Sequence, residues 1–205
     1  MHKKLMMACM AITAFAAFVV APAASGAVLT ESGSAVAVGS SITGTAGETK
    51  FTAGGETVTC SKADMSGTVT ANANGTVAAE IAAGNPIFLG TAGSDCTSSG
   101  LGPVKWTVNS KLCFHVAKGT DQGTVTGCAG AAVTFTLSIT NIGIECHYEK
   151  SSIVVEITTS PADAQVRVIP GQKVPRESNF LCPKEGELDM EFTLTTTDET
   201  TLTFS

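Results

Sequence analysis

Two pairs of cysteines share one spacing: Cys60 and Cys146 stand 86 residues apart, and so do Cys96 and Cys182. The same register runs on without a gap. Gly100 falls on Gly186, and Val104-Lys105-Trp106-Thr107-Val108 falls on Met190-Glu191-Phe192-Thr193-Leu194, apolar on apolar with the threonine shared. Val58 falls on Ile144 and Val69 on Val155. A cysteine frame kept while identity fades between its members is what an old duplication leaves, and internal repeats set architecture. The register predicts two related repeats, about 27–112 and 113–198.

The chain opens with Lys3 and Lys4, then an apolar run from Leu5 to Val20 interrupted only by Thr13. Pro22 and the small residues Ala23, Ala24, Ser25 and Gly26 follow. Positive start, apolar stretch and small-residue exit predict a signal peptide over residues 1–26, forming an N-terminal signal helix cut between Ala23 and Ala27. An uncleaved anchor is opposed by Pro22 and by the lack of a basic stop-transfer cluster. Cys9 lacks the preceding apolar run that a lipid anchor would need. The protein is thus expected to be secreted, extracellular or in the cell envelope.

Loss of residues 1–26 leaves 10 Lys+Arg against 18 Asp+Glu, a net charge of about −8 on about 179 residues. That sign excludes nucleic acid as a natural partner and disfavours anionic lipid. No later segment has the length and apolarity of a membrane helix, so no membrane insertion is expected after cleavage. A cell-envelope component or a protein remains as a possible partner.

Six cysteines remain, and an even count behind a signal peptide reads as a disulfide framework. Zinc sites want cysteines paired at short gaps, and none occur. If the repeats are related, equivalent cysteines pair equivalently, giving Cys60–Cys96 and Cys146–Cys182 with Cys113–Cys128 left over. The competing pattern exchanges partners between the halves.

Between the cysteines the chain alternates. Val133, Phe135, Leu137 and Ile139 alternate with Thr134, Thr136, Ser138 and Thr140. Leu188, Met190, Phe192 and Leu194 alternate with Asp189, Glu191, Thr193 and Thr195, and Ile142, Ile144, Cys146 and Tyr148 give a third such run. Period two with β-branched residues marks half-buried strands. Asn74-Gly75 between two such runs marks a hairpin, because both residues tolerate positive φ. The expectation is an all-β fold. It takes the form of an antiparallel β-sandwich or a partly closed barrel built from the two repeats and stapled by disulfides. No Pro/Ser-rich linker lies between Val108 and Phe114, so residues 27–205 read as a single mature β domain, with two abutting domains as the alternative.

Chemistry is sparse. The sequence has no Gly-x-Ser-x-Gly elbow, no Ser-x-x-Lys and no His-Glu-x-x-His, and the mature histidines are His115 and His147. Glu145, His147 and Glu149 share one outward strand face and are the one candidate metal or acid–base row. Neighbours on a strand face stand roughly 6.5–7 Å apart, so a single ion would need a ligand from another strand. Glu187, Asp189 and Glu191 form a similar face without a calcium-loop pattern, which suits a solvated face that blocks edge pairing. The Thr-x-Thr pairs are too irregular for a flat repetitive surface. Trp106 matches Phe192 in the register, which favours a core position over a sugar platform.

Val58-Thr59-Cys60-Ser61, Gly67-Thr68-Val69-Thr70, Asp95-Cys96, Cys146-His147-Tyr148-Glu149 and Phe180-Leu181-Cys182-Pro183 together resemble a group of uncharacterised secreted six-cysteine all-β proteins of actinobacteria. So does the closing run Leu188-Asp189-Met190-Glu191-Phe192-Thr193-Leu194. The resemblance covers most of the mature chain. It implies export and a disulfide-bonded β fold, and no activity or functional residue comes with it. The expectation is therefore a non-catalytic secreted or cell-envelope protein acting through its surface, with no cofactor and no catalytic residue. An extracellular binder of a small ligand, held between sheets or repeats, is the alternative. A secreted hydrolase using His115 or His147 is a third reading.

Overall fold

The computed structural model describes residues 27–117, 119–160 and 163–205. The signal peptide expected over residues 1–26, with its helix, lies outside them. In chain order the strands are β1 (Leu29–Glu31), β2 (Ser34–Ala35), β3 (Ser41–Ala46), β4 (Thr49–Ala53), β5 (Glu56–Cys60), β6 (Lys62–Ala73) and β7 (Thr76–Ile81). Then come β8 (Ile87–Leu89), β9 (Cys96–Ser98), β10 (Gly102–Val108), β11 (Leu112–Val116), β12 (Gln122–Gly127), β13 (Val133–Ile139) and β14 (Ile144–Lys150). The last six are β15 (Ile153–Ser160), β16 (Asp163–Val168), β17 (Lys173–Ser178), β18 (Glu185–Asp189), β19 (Glu191–Thr196) and β20 (Leu202–Phe204).

Hydrogen bonding closes these strands into two eight-stranded barrels. One runs β4-β5-β9-β10-β13-β14-β17-β18 and back to β4. The other runs β3-β6-β7-β11-β12-β15-β16-β19 and back to β3, with β8 branching from β6. Each strand of one barrel is continued in sequence by a strand of the other: β3 by β4, β5 by β6, β7 by β9 past β8, β10 by β11, β12 by β13, β14 by β15, β16 by β17, and β18 by β19. The eight resulting staves keep the same cyclic order in both rings, and every named pairing is antiparallel. The barrels are therefore the two storeys of one up-and-down tube, broken at a waist.

This closure corrects the sandwich and partly-closed-barrel expectations. Alternation places one face of every strand inward in either architecture; only the pairings β3–β19 and β4–β18 show that the sheet has no edge. The waist also divides the run read as one strand over Leu188–Leu194: β18 ends at Asp189 and β19 begins at Glu191. Each storey draws strands from both halves of the chain, so the halves are not separate bodies. The 86-residue shift carries Cys60 of the second stave onto Cys146 of the sixth. It also carries Trp106, in β10 of one storey, onto Phe192, in β19 of the other. Those two residues are not spatial equivalents, because the waist does not fall at matching positions in the two halves.

The disulfides are Cys60–Cys96, Cys113–Cys128 and Cys146–Cys182, the pairing that the repeat register predicts. The first and third each close a separation of 36 residues and the second one of 15. On the chain-entropy account these constraints are worth about 4 and about 3 kcal/mol each.

The tube has an apolar inside and a polar outside. The inward positions merge into one hydrophobic core that spans both storeys. The outer wall carries threonine ladders and cross-strand ion pairs such as Lys111–Glu80, Lys173–Glu187 and Arg167–Glu191. A membrane-spanning barrel has the reverse arrangement. Among the described residues no helix is long and apolar enough to cross a membrane.

Candidate functional site

The two storeys are filled differently. In the first, Phe51, Trp106, Phe135 and Tyr148 interlock edge-to-face and stacked, with Phe51 at the centre, 4.7–5.9 Å from the other three ring centroids. β8 adds Phe88, which stacks on Trp106 at 4.1 Å. Such aromatic contacts add about 0.5–1.5 kcal/mol each beyond area burial. Burial pushes the Tyr148 hydroxyl up to about 12, with Arg176 opposing that rise. We call this storey the aromatic barrel.

The second storey is lined by smaller residues: Gly44, Gly67, Ala63 and Ala79 take inward positions. A cavity of about 110 Å³ results, with walls from Met65, Val69, Val155 and Phe192 and a floor from Trp106 and Phe135. Its far end is closed by a small sheet of β2, β1 and β20, whose Leu29 and Phe204 also line it. Asn72 secures that cap. Its Oδ1 accepts from the Leu29 N–H at 2.8 Å, and its Nδ2 donates to the carbonyls of Leu29 at 2.7 Å and Val36 at 2.8 Å. Val28 and Ser205 exchange two backbone hydrogen bonds beside it. We call this storey the capped barrel.

Two buried polar atoms have no hydrogen-bond partner among the described residues: Thr49 Oγ1 and Trp106 Nε1. Buried donors are nearly always paired. Trp106 is 5% exposed and forms part of the cavity wall.

The free end of the aromatic barrel is a rim of four hairpin tips. Leu101, Ile142, Phe180 and Leu181 are exposed at 38%, 56%, 84% and 62%, and all four sit on three successive tips. Residues 53–55, 98–103 and 139–144 contain no charged side chain, and the fourth loop, 179–184, carries Lys184 beside its apolar pair. The rim is built rather than loose. Glu56 Oε2 accepts from Ser98 Oγ at 3.0 Å, Ser99 Oγ at 2.8 Å and the Gly100 N–H at 2.8 Å, tying one tip to the next. The two serine hydroxyls, joined by the Gly100 N–H, hold its carboxyl below the usual carboxylate range. Under Phe180 and Leu181, Asn179 donates to the Glu145 carbonyl at 2.9 Å and accepts from the Leu181 N–H at 3.1 Å, and the Cys146–Cys182 disulfide fixes the loop base.

The candidate row on β14 lies below this rim. Glu145 and Glu149 are exposed and His147 is half-exposed, alternating with buried Cys146 and Tyr148. His147 Nδ1 lies 2.9 Å from Thr136 Oγ1, which accepts from Asn109 Nδ2 at 2.8 Å, while His147 Nε2 is 3.8 Å from Glu145 Oε2. Ser138, Ser178 and Asn179 border the same shallow outer groove. The row does not gather its ligand atoms around one point, because residues two apart on a strand are too widely spaced. Among the described residues the atoms that do come together are those of Glu80, Cys113 and Cys128. There both sulfurs belong to a disulfide and Glu80 pairs with Lys111, so no thiolate is offered. His115 stands exposed on β11 opposite Ala78 and Thr124. At His147 the hydroxyl on one ring nitrogen, that of Thr136, is buried, and the Glu145 carboxylate on the other lies beyond hydrogen-bond distance at 3.8 Å.

Sequence reasoning placed the outward row on β14 correctly but did not find the rim, the cavity or the Asn109–Thr136–His147 link. Phe180 and Leu181 were readable as an apolar pair beside a cysteine; what marks them is that local structure holds them outward. Comparison with protein-family models, curated proteins and solved structures gives no match to this chain.

Proposed function

We propose that this is a non-catalytic extracellular protein that docks on the lipid surface of the cell envelope through the rim of the aromatic barrel. One observation carries the reading: Leu101, Ile142, Phe180 and Leu181 are held out of the core on adjacent tips of a tube whose walls are laced with charge. Exposed apolar clusters of this kind mark interaction surfaces. An apolar rim on an acidic body suits a zwitterionic interface and is repelled by an anionic one. Aromatic and leucine side chains at loop tips bury into the headgroup boundary without any segment spanning the bilayer. Three disulfides fit an oxidising compartment, in keeping with an envelope location.

Co-sedimentation with phosphatidylcholine vesicles tests this. Wild type is expected in the vesicle pellet, and binding weakens when phosphatidylglycerol is mixed in at low salt. A variant carrying Ile142→Ser, Phe180→Ser and Leu181→Ser is expected in the supernatant with its melting temperature little changed, since these side chains are more than half exposed. Phe180→Ser alone should weaken binding by about tenfold, the share of one large apolar group. Wild type remaining in the supernatant, or a triple variant that sediments like wild type, overturns the reading.

A further inference from the structure

The polar groove on β14 and the apolar rim form one continuous surface, and together they carry an inference that rests on the lipid-docking reading. We propose that the groove selects the ethanolamine phosphate headgroup, with Glu145 accepting from its primary ammonium and His147 Nε2–H donating to its phosphate.

The position of the imidazole proton follows from its partners. Asn109 Nδ2 donates to Thr136 Oγ1 at 2.8 Å, which leaves the Thr136 hydroxyl its own proton to give. Thr136 is buried, and buried donors are nearly always paired. The acceptor in reach is His147 Nδ1 at 2.9 Å. Nδ1 therefore stays bare, and the ring carries its proton on Nε2, beside the exposed Glu145 carboxylate. Nε2 and Glu145 Oε2 stand 3.8 Å apart, too far to satisfy each other and close enough for one ligand to touch both. A donor held next to an anionic acceptor complements a zwitterion whose two charges are neighbours.

The rest of the lining narrows the choice. It contains no lysine or arginine, so a ligand of net negative charge finds no ionic partner. It also contains no phenyl, phenol or indole ring, the groups that hold a quaternary ammonium such as choline. A primary ammonium instead brings three N–H donors, which the Glu145 carboxylate and the Ser138 and Ser178 hydroxyls can accept. A free phosphomonoester carries surplus negative charge, whereas the phosphodiester of a lipid headgroup leaves the zwitterion neutral.

Position points the same way. Thr140 and Gly143, from the tip that carries Ile142, line the groove, and so does Asn179, which braces the tip of Phe180 and Leu181. Glu145 lies three residues from Ile142, roughly 7 Å along a strand tilted as in a barrel. A bilayer's headgroup layer is about 5–7 Å deep. With the tips seated at the hydrocarbon boundary, the groove stands level with the headgroups.

Vesicles of phosphatidylcholine, alone and mixed equally with phosphatidylethanolamine, give the first test. Wild-type protein is expected to bind the mixture about fivefold more tightly, the share of one exposed charge-assisted hydrogen bond. In Glu145→Gln that gain should disappear, which separates headgroup recognition from any effect of ethanolamine lipids on bilayer packing. Soluble glycerophosphoethanolamine and glycerophosphocholine, titrated without vesicles, read the groove directly, and only the first is expected to move the His147 ring resonances. A long-range 1H–15N spectrum at mildly alkaline pH should show Nε2 protonated and Nδ1 bare, and Thr136→Val should mix the two tautomers. No gain with the mixture in wild type, a gain that survives Glu145→Gln, equal responses to the two soluble headgroups, or a protonated Nδ1 overturns the proposal. Wild type that ignores both vesicles yet responds to soluble glycerophosphoethanolamine brings down the rim reading and, with it, the lipid as the ligand's source. The two failures are thus told apart.

Discussion

The two storeys share their staves, strand number and cyclic order, yet one is packed solid and the other is hollow. The difference lies in what points inward at equivalent heights. In the aromatic barrel the Phe51 ring has room because the diagonal position on the neighbouring strand β18 is Gly186; a Cβ there would lie 2.2 Å from the ring. In the capped barrel Gly67 and Ala79 line the axis among mostly aliphatic side chains, and a cavity is left over. Strand topology therefore fixes that a tube forms, and inward side-chain volume decides whether it is a rod or a vessel.

The largest effect that could break this contrast is Phe51→Ala. Removing the ring at the centre of the aromatic cluster should cost about 4 kcal/mol in denaturant unfolding. A loss below about 1 kcal/mol would mean that the aromatic barrel is no better filled than its neighbour.

Paired glycine variants sharpen the comparison. Gly186→Ala drives a methyl into a ring wedged on all sides and should cost about 3 kcal/mol. Gly44→Ala would bring a Cβ to 2.4 Å from the Met65 terminal methyl, 2.9 Å from its Cγ and 3.2 Å from a Leu194 methyl; the unbranched Met65 chain can shift, and the cost should stay below about 2 kcal/mol. Equal costs, read from urea midpoints, would remove the distinction between a rigid and a yielding interior.

Alkaline titration probes the filled storey alone. The Tyr148 hydroxyl is raised from 10.0 to about 12 by burial. The folded state therefore keeps a proton that the unfolded chain releases between those values. Stability from this group is complete below pH 10 and is lost as pH rises through 12, by up to about 2–3 kcal/mol. Tyr148→Phe should flatten that slope, while the lysines continue to titrate in both proteins. A slope identical in the two would place the hydroxyl in water.

The smallest effect has the opposite sign. Ala79→Val adds two methyl groups to the cavity wall and should stabilise by about 0.5–1 kcal/mol. Destabilisation instead would show that the capped barrel has no room to fill.

Much of this was legible in the sequence, and what was not has physical causes. The alternation over Val133–Ile139 and the Asn74-Gly75 turn gave strands and a hairpin, because period and positive φ are local properties. Asn74 and Gly75 do adopt φ of 54° and 78°. The disulfide pairing followed from the repeat register. Closure was hidden, since an inward–outward alternation reads the same in a sandwich. The break at Met190 was hidden as well, because alternation runs straight through it. At β14 the outward placement of Glu145, His147 and Glu149 was readable, but the Asn109 and Thr136 partners come from other strands.

The paired hydrogen bonds between Val28 and Ser205 have a consequence of their own. They are 2.9 and 3.0 Å long and bring both ends of the described chain to one point on the cap. With β19 already bonded to β3, the ring of staves has no first member. A gene reordered to join these ends by a short bridge and reopen at Gly54–Gly55 would spell the same tube from a different starting stave. The order in which the staves are synthesised would change while every neighbour relation survived. Such a permutant would separate what the chain's direction contributes to folding from what its geometry does.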